Sequence, residues 1–283
     1  MKLSAYPSAN SASRSLADSP HSAGQQNARE NVLDLRDLSV EELKLDALFR
    51  PVVTDARARF ALFRILDQNY LDWSNFLASL LSPLPLDDAA ARLNLDRLLL
   101  NYFTCAHHLR QHFETLFQQR LRTDDASQKK YKMLVDQLAQ TSWPFAFFLD
   151  FRHYLNHEGL ALGFFKRKLS PTSVSLELTL NSVELLNATK DWPRSKLTAA
   201  KGLIEVAPLL RDIHTQLRQA YASIVVKTFF PDLAPAAEFY KKLSDEVRQK
   251  DPATAAALRE NETKLFPLPA DLFAELGLPT AIK

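Results

Sequence analysis

Cysteine is almost missing from this chain. Cys105 is the one thiol in 283 residues, so neither an internal disulfide nor a thiolate metal cage can be built within one copy. That scarcity fits a reducing compartment, and a cytoplasmic setting is expected. Glycine is nearly as rare. Gly24, Gly159, Gly163, Gly202 and Gly277 stand too far apart to form a phosphate-cradling loop, which excludes the P-loop and dinucleotide-binding enzyme classes. No apolar run approaches the roughly 20 residues of a membrane span, and no basic-then-apolar leader is present, so no membrane partner is expected. An excess of either charge is lacking as well. With a formal net charge of +2, any nucleic-acid partner must be met by a local patch rather than by a whole-molecule field.

What is present is apolar periodicity. A hydrophobic content of 46% is enough for a substantial core in one large or two modest domains. Residues 1–30, rich in Ser, Ala, Asn and Gln, read as a disordered tail. A helix is expected from an N-cap at Thr54 or Asp55 toward Ser82, ended by Pro83 and Pro85. Leu95, Leu99, Tyr102, Ala106, Leu109, Phe113 and Leu116 then alternate four and three apart, the seam of a long helix facing a partner helix. Tyr131, Leu134, Val135 and Leu138 mark a shorter helix. Another begins near Ser142, with Pro144 in the first turn where its missing N–H is harmless, and ends near His157 before Gly159.

The period then changes. Val174, Leu176, Leu178 and Leu180 alternate with Ser173, Ser175, Glu177 and Thr179, and with Gly163 to Leu169 they predict a hairpin that covers the core with one face. Helical signals return from Ser182, strongest over Ala207 to Val226, and again at Pro235 to Lys250 and Pro252 to Thr263. The expected fold is therefore mainly α, a helical bundle with an inserted β-hairpin and additional C-terminal helices. Its expected divisions are a helical domain over 31–226, with the hairpin at about 160–180, and a helical extension and tail over 227–283.

One segment concentrates polar chemistry. Between Phe145 and His157, turning about 100° per residue places Phe147, Phe148, Phe151, Tyr154 and Leu155 on one side. Asp150, Arg152, His153, Asn156 and His157 fall on the other, together with Phe145 and Leu149. Polar groups on so aromatic a helix need partners, because an unpaired buried one costs roughly 1–3 kcal/mol.

Arg152-His-Tyr-Leu-Asn-His157 matches the Arg-x4-His motif of the HEPN superfamily, including the polar residue directly after the arginine, and the chain resembles that family over about residues 54–226. The resemblance implies an α-helical bundle and a metal-independent endoribonuclease of a toxin–antitoxin or phage-defence system, with RNA as substrate, an antitoxin as a further partner and no cofactor. Where HEPN chains modified by nucleotidyltransferase antitoxins carry a tyrosine two residues past the motif histidine, this chain has Gly159, which argues against that mode of control.

RNA cleavage requires a proton to leave the 2′-hydroxyl, another to reach the departing oxygen, and extra negative charge on the phosphorane to be held. His157, with an ordinary pKa near ~6.5, suits either transfer near neutrality. Arg152 offers a planar, permanently charged fork to phosphate oxygens. Asn156 lies between them around the helix, and His153 stands ready to assist. One histidine serves both protons poorly, so a homodimer sharing one cleft is expected.

Each of these residues also has a structural reading. Arg152 suits an ion pair with Asp150 or Glu158, His157 a C-terminal cap, and His153 plain support. The whole motif would then belong to a non-enzymatic helical interaction or scaffold protein. His153 with His157, and His108 with His112, have the i,i+4 spacing of metal ligands, with Glu114 or Asp150 as candidate oxygen donors. No further pair completes a site, and no metal is expected. Lys166, Arg167 and Lys168, just beyond the motif, are the candidate RNA-binding cluster. Lys129, Lys130 and Lys132 read as a solvated face.

Overall fold

The computed structural model describes residues 39–82, 87–120, 122, 124–158, 164–169, 174–189 and 192–250. Side chains are described for all of these except 152, 153, 156–158, 164, 169, 244, 245 and 247–250. The expected N-terminal tail and the helix expected at Pro252 to Thr263 lie outside the described residues.

The first helix, α1, is Val40–Ser79, and at about 1.5 Å per residue it runs for roughly 60 Å. Ser39 and Glu42 form a capping box at its start: the Glu42 N–H donates to Ser39 Oγ (3.2 Å), and the Ser39 N–H donates to Glu42 Oε2 (2.8 Å). The helix thus begins fourteen residues before Thr54, where the sequence predicts it, and passes through Pro51. An interior proline removes one N–H and costs about 3 kcal/mol. Here Ala47 and Pro51 are both exposed, so water reaches the carbonyl left without its donor. A two-pronged Arg50–Asp46 pair spans the same turns, and a later helix clamps them.

The second helix, α2, is Asp88–Arg120 and lies antiparallel along α1. All seven residues of the expected seam are buried, from Leu95 to Leu116. Pairing runs from Tyr70 against Tyr102 at one end to Arg120 against Asp55 at the other. After α3 (Asp125–Thr141) and α4 (Trp143–Glu158), β1 (Phe164–Leu169) and β2 (Val174–Asn181) form the expected antiparallel hairpin, with Phe164 opposite Thr179 and Leu169 opposite Val174. A third strand, β3 (Leu203–Glu205), pairs on the other edge of β2, giving sheet order β1-β2-β3. Three residues are too few for a period to show in sequence, so β3 had no readable signal.

Between β2 and β3 lie α5 (Ser182–Ala188) and a single 3-10 turn. Beyond β3, α6 (Val206–Gln216), a π turn (Leu217–Tyr221) and α7 (Ala222–Phe229) make one continuous helical rod. The last described helix, α8 (Leu233–Lys250), packs on the N-terminal half of α1. The rings of Phe49 and Phe239 lie 5.7 Å apart, and the Tyr240 hydroxyl donates to Asp46 (2.8 Å). The expected division after Val226 falls inside α7, and Leu233, Ala236, Tyr240 and Leu243 of α8 join the same core as α1 and α2.

The architecture is a mainly α-helical bundle with a small three-stranded antiparallel sheet. Its centre is aromatic: Phe60, Phe63 and Phe113 meet Tyr221 and Phe229 of the C-terminal rod and Phe230 just beyond it. Among the described residues no helix is long and apolar enough to cross a membrane.

Candidate functional site

The helix that carries the motif is held firmly at its start. Ser142 Oγ accepts the Phe145 N–H (3.3 Å), and the Trp143 indole donates to the Ser195 carbonyl (3.0 Å). The aromatic side of α4 then stacks in series. Phe147 lies 5.0 Å from Phe151, Phe151 lies 5.4 Å from Tyr154, and Trp192 covers Phe147 at 5.4 Å. Phe103 of α2 meets Phe151 edge-on at 4.9 Å. Burial of rings at this density fixes the helix on both flanks.

Asp150, on the opposite sector, is not left to water. Asp150 is 3% exposed, and its Oδ2 accepts three hydrogen bonds: the Ser195 N–H (2.7 Å), the Ser195 hydroxyl (2.8 Å) and the Arg194 N–H (3.0 Å). The Arg194 guanidinium stands 3.9 Å from Oδ1. Asp150 is thus committed to pinning the turn at 193–195, for which the proline of Trp192-Pro-Arg-Ser195 is the local signal in the sequence.

Arg152, His153, Asn156 and His157 occupy the last turns of α4. Their side chains lie outside the described residues, and only their backbone positions bear on the geometry. Arg152 is four residues after Phe148 and three before Leu155, so its backbone stands about 40–60° around the helix from theirs, at the border between the aromatic and polar sides. His157 is seven residues after Asp150 and shares the stripe that meets the 193–195 turn.

The Phe148–Leu155 stripe borders a pocket of about 120 Å³ between α2 and α4. Phe103 and Phe148 are buried at its base, and Leu155 is half-buried beside them. Leu100, Thr104 and His108 stand exposed at the rim on successive turns of α2, with His107 half-buried next to them. The His107 and His108 rings are 5.9 Å apart. Of these polar residues the sequence singled out only His108, as half of an i,i+4 pair with His112. The pair is divided in the structure: His108 lines the pocket, whereas His112 lies against α1, with Nε2 3.3 Å from Arg59. Burial, and then the Arg59 charge, push the His112 pKa down. Glu114 takes an ion pair from Arg110. Among the described residues no group of three His, Cys, Asp or Glu side chains is arranged to hold a metal ion.

The basic cluster on β1 is divided between the two faces of the hairpin. Strand alternation sends Lys166 and Lys168 to one face and Arg167 to the other. Arg167 donates to the carbonyls of Leu80 and Ser82, tying the hairpin to the end of α1. Lys168 pairs across the strands with Glu177 (2.9 Å) and holds that carboxylate below its usual range, while Lys166 is exposed. On α3, the Lys132 ammonium lies 5.8 Å over the Phe117 ring.

A second polar cluster, also unread in the sequence, sits where α1, α2 and the C-terminal rod meet. The His214 ring stacks flat on Tyr70 at 4.1 Å. Its Nε2 is 3.5 Å from Asp67 Oδ1, and its Nδ1 is 3.5 Å from the Tyr102 hydroxyl. Arg218, in the π turn, pairs with Asp67 at 2.9 Å. Burial, and then the nearby Arg218 charge, push the His214 pKa down to about 4. Close by, burial pushes the Cys105 thiol up to about 11, so it is no thiolate nucleophile at neutral pH.

The chain shows no match to a protein-family model, to a curated protein or to a solved structure.

Proposed function

We propose that this chain is a HEPN-like, metal-independent endoribonuclease in which Arg152 and His157 on the last turns of α4 carry RNA cleavage. The supporting observation is the setting of the motif. Its helix is locked by Asp150 and by the stacking of Phe151 on Tyr154, which brackets the Arg152 backbone, and the last turn, with His157, begins from that rigid base. Catalytic groups need such a base, because errors of about 1 Å in placement cost orders of magnitude in rate.

In the proposed reaction the 2′-hydroxyl of the substrate attacks the adjacent phosphorus. A 2′-O–P bond forms, the P–O5′ bond breaks, and the products are a 2′,3′-cyclic phosphate and a free 5′-hydroxyl. His157 takes the proton from the 2′-hydroxyl, the equivalent histidine of a second copy delivers one to O5′, and Arg152 holds the charge that builds on the phosphorane. His153 and Asn156 orient the substrate. The family setting implied by the motif is a toxin–antitoxin or phage-defence system.

A second reading, a helical interaction protein in which the motif is structural, is favoured by the apolar surface of the first turns of α1. Val40, Leu43, Leu45 and Leu48 there are 40–63% exposed. One experiment separates the two. Purified chain is incubated with RNA in the presence of EDTA, and product ends are identified. Cyclic-phosphate termini that vanish in both Arg152→Ala and His157→Ala support the nuclease. A wild-type chain that leaves RNA intact and is harmless on expression removes it in favour of the interaction protein.

A further inference from the structure

We infer that the pocket between α2 and α4 receives a pyrimidine base of the RNA substrate. The inference deepens the nuclease reading and rests on it: it assigns a base to the Arg152 side of the motif helix, about 140° around from the stripe that bears His157.

Size comes first. At about 120 Å³ the pocket is close to the roughly 150 Å³ cavity known to accept benzene, and it opens to solvent along the rim on α2. A single six-membered ring fills such a space, whereas a fused purine would stand partly outside it. Chemistry points the same way. Phe103, Phe148 and Leu155 provide an apolar, aromatic base and wall, and base–aromatic contact accounts for much of single-strand recognition. Sequence-specific reading of RNA is done on unstacked bases, whose edges are met by hydrogen-bonding groups. Thr104 supplies a hydroxyl that both donates and accepts, and His108 supplies an imidazole of either tautomer, both exposed at the rim.

Position completes the argument. The Arg152 backbone borders the Phe148–Leu155 stripe of α4, so a base in this pocket leaves its own phosphate close to the backbone that bears the proposed phosphate-holding residue. Access also fits, because Leu100, Thr104 and His108 at the rim are exposed while the floor is closed.

The test is saturation-transfer NMR on the full chain with cytidine, uridine and adenosine 5′-monophosphates, read on base protons. The two pyrimidine nucleotides should bind, and the adenosine nucleotide should bind about tenfold more weakly. Thr104→Trp fills the pocket from an exposed helical position and should weaken pyrimidine binding about tenfold. If that variant does not fold, Leu100→Trp on the same rim takes its place. Equal binding of adenosine, binding that survives the filling variant, or no transfer to any nucleotide overturns the inference. The nuclease reading fails separately. Pyrimidine binding by a chain that cleaves no RNA sinks the nuclease and keeps the pocket, while cleavage without pyrimidine preference or pyrimidine binding keeps the nuclease and sinks the pocket.

Discussion

Acidification between about pH 6.5 and pH 4 should destabilise this protein, and His214 should be a principal cause. In the unfolded chain its imidazole takes up a proton with an ordinary pKa of 6.5, whereas in the folded chain the value is pushed down to about 4. Between those values unfolding takes up a proton, so stability falls as pH falls. The contribution is complete above about 6.5 and lost as pH drops toward 4.

The groups around His214 explain the direction. Tyr70 from α1 and Tyr102 from α2 exclude water from the ring, and Arg218 from the π turn adds a like charge. Asp67 would favour the proton at 3.5 Å, but its carboxylate is shared with Arg218 at 2.9 Å. His214 is only 16% exposed, so solvent screening removes little of the effect. A depression of this size, at about 1.4 kcal/mol per pH unit, is worth on the order of 3 kcal/mol. That is a large share of the roughly 5–15 kcal/mol that holds a domain folded.

The assay is urea unfolding of wild type and His214→Gln at several pH values from 7 to 4. Glutamine keeps a polar group beside Tyr102 and Asp67 but does not titrate. The wild type should lose on the order of 3 kcal/mol more than the variant across this range. Contributions from His112, whose pKa is also lowered, are common to both proteins and cancel. Arg218→Met removes the like charge and frees Asp67, and should raise the His214 midpoint in an NMR titration. Parallel pH profiles for wild type and His214→Gln would refute the reasoning, whatever the absolute stabilities.

Two further outcomes follow from the contacts around the motif helix and the hairpin. Asp150→Ala leaves two backbone N–H groups and the Ser195 hydroxyl without their acceptor and should cost about 3 kcal/mol in thermal or urea unfolding, whereas Asp150→Asn, which keeps an acceptor oxygen, should cost less; equal losses would mean that the three bonds contribute little. Arg167→Ala should release the hairpin from the end of α1, seen as faster amide exchange in β1 and β2 with unchanged protection along the α1–α2 seam, and uniform exchange across the whole chain would argue against an anchoring role.

Much of the fold was readable from local patterns. The α2 seam and the start and stop of α4 appear where periodicity and capping residues predict them, and in β2 Leu178 and Leu180 turn inward as the alternation requires, while Thr179 between them, opposite Glu205 of β3, is buried as well. These features depend on neighbours within about four residues, so a linear reading contains the needed information. Readings failed where a distant partner overrode a local rule. Thr54 and Asp55 have the chemistry of an N-cap, but α1 runs through them and through Pro51, where packing of Phe239 and Tyr240 against Phe49 and Asp46 holds the helix.

The same division runs through the candidate site. Sequence alone marked the Arg152 to His157 segment, the aromatic side of its helix and the basic run after it. Only the tertiary structure gave Asp150 to the 193–195 turn, put Arg167 on the carbonyls of α1, separated His108 from His112 and assembled Asp67, Tyr102, His214 and Arg218 into one cluster. Those partners come from segments dozens of residues apart. Their approach is set by how helices pack around a shared aromatic core, and periodicity within one helix carries no information about which residue of another it will meet.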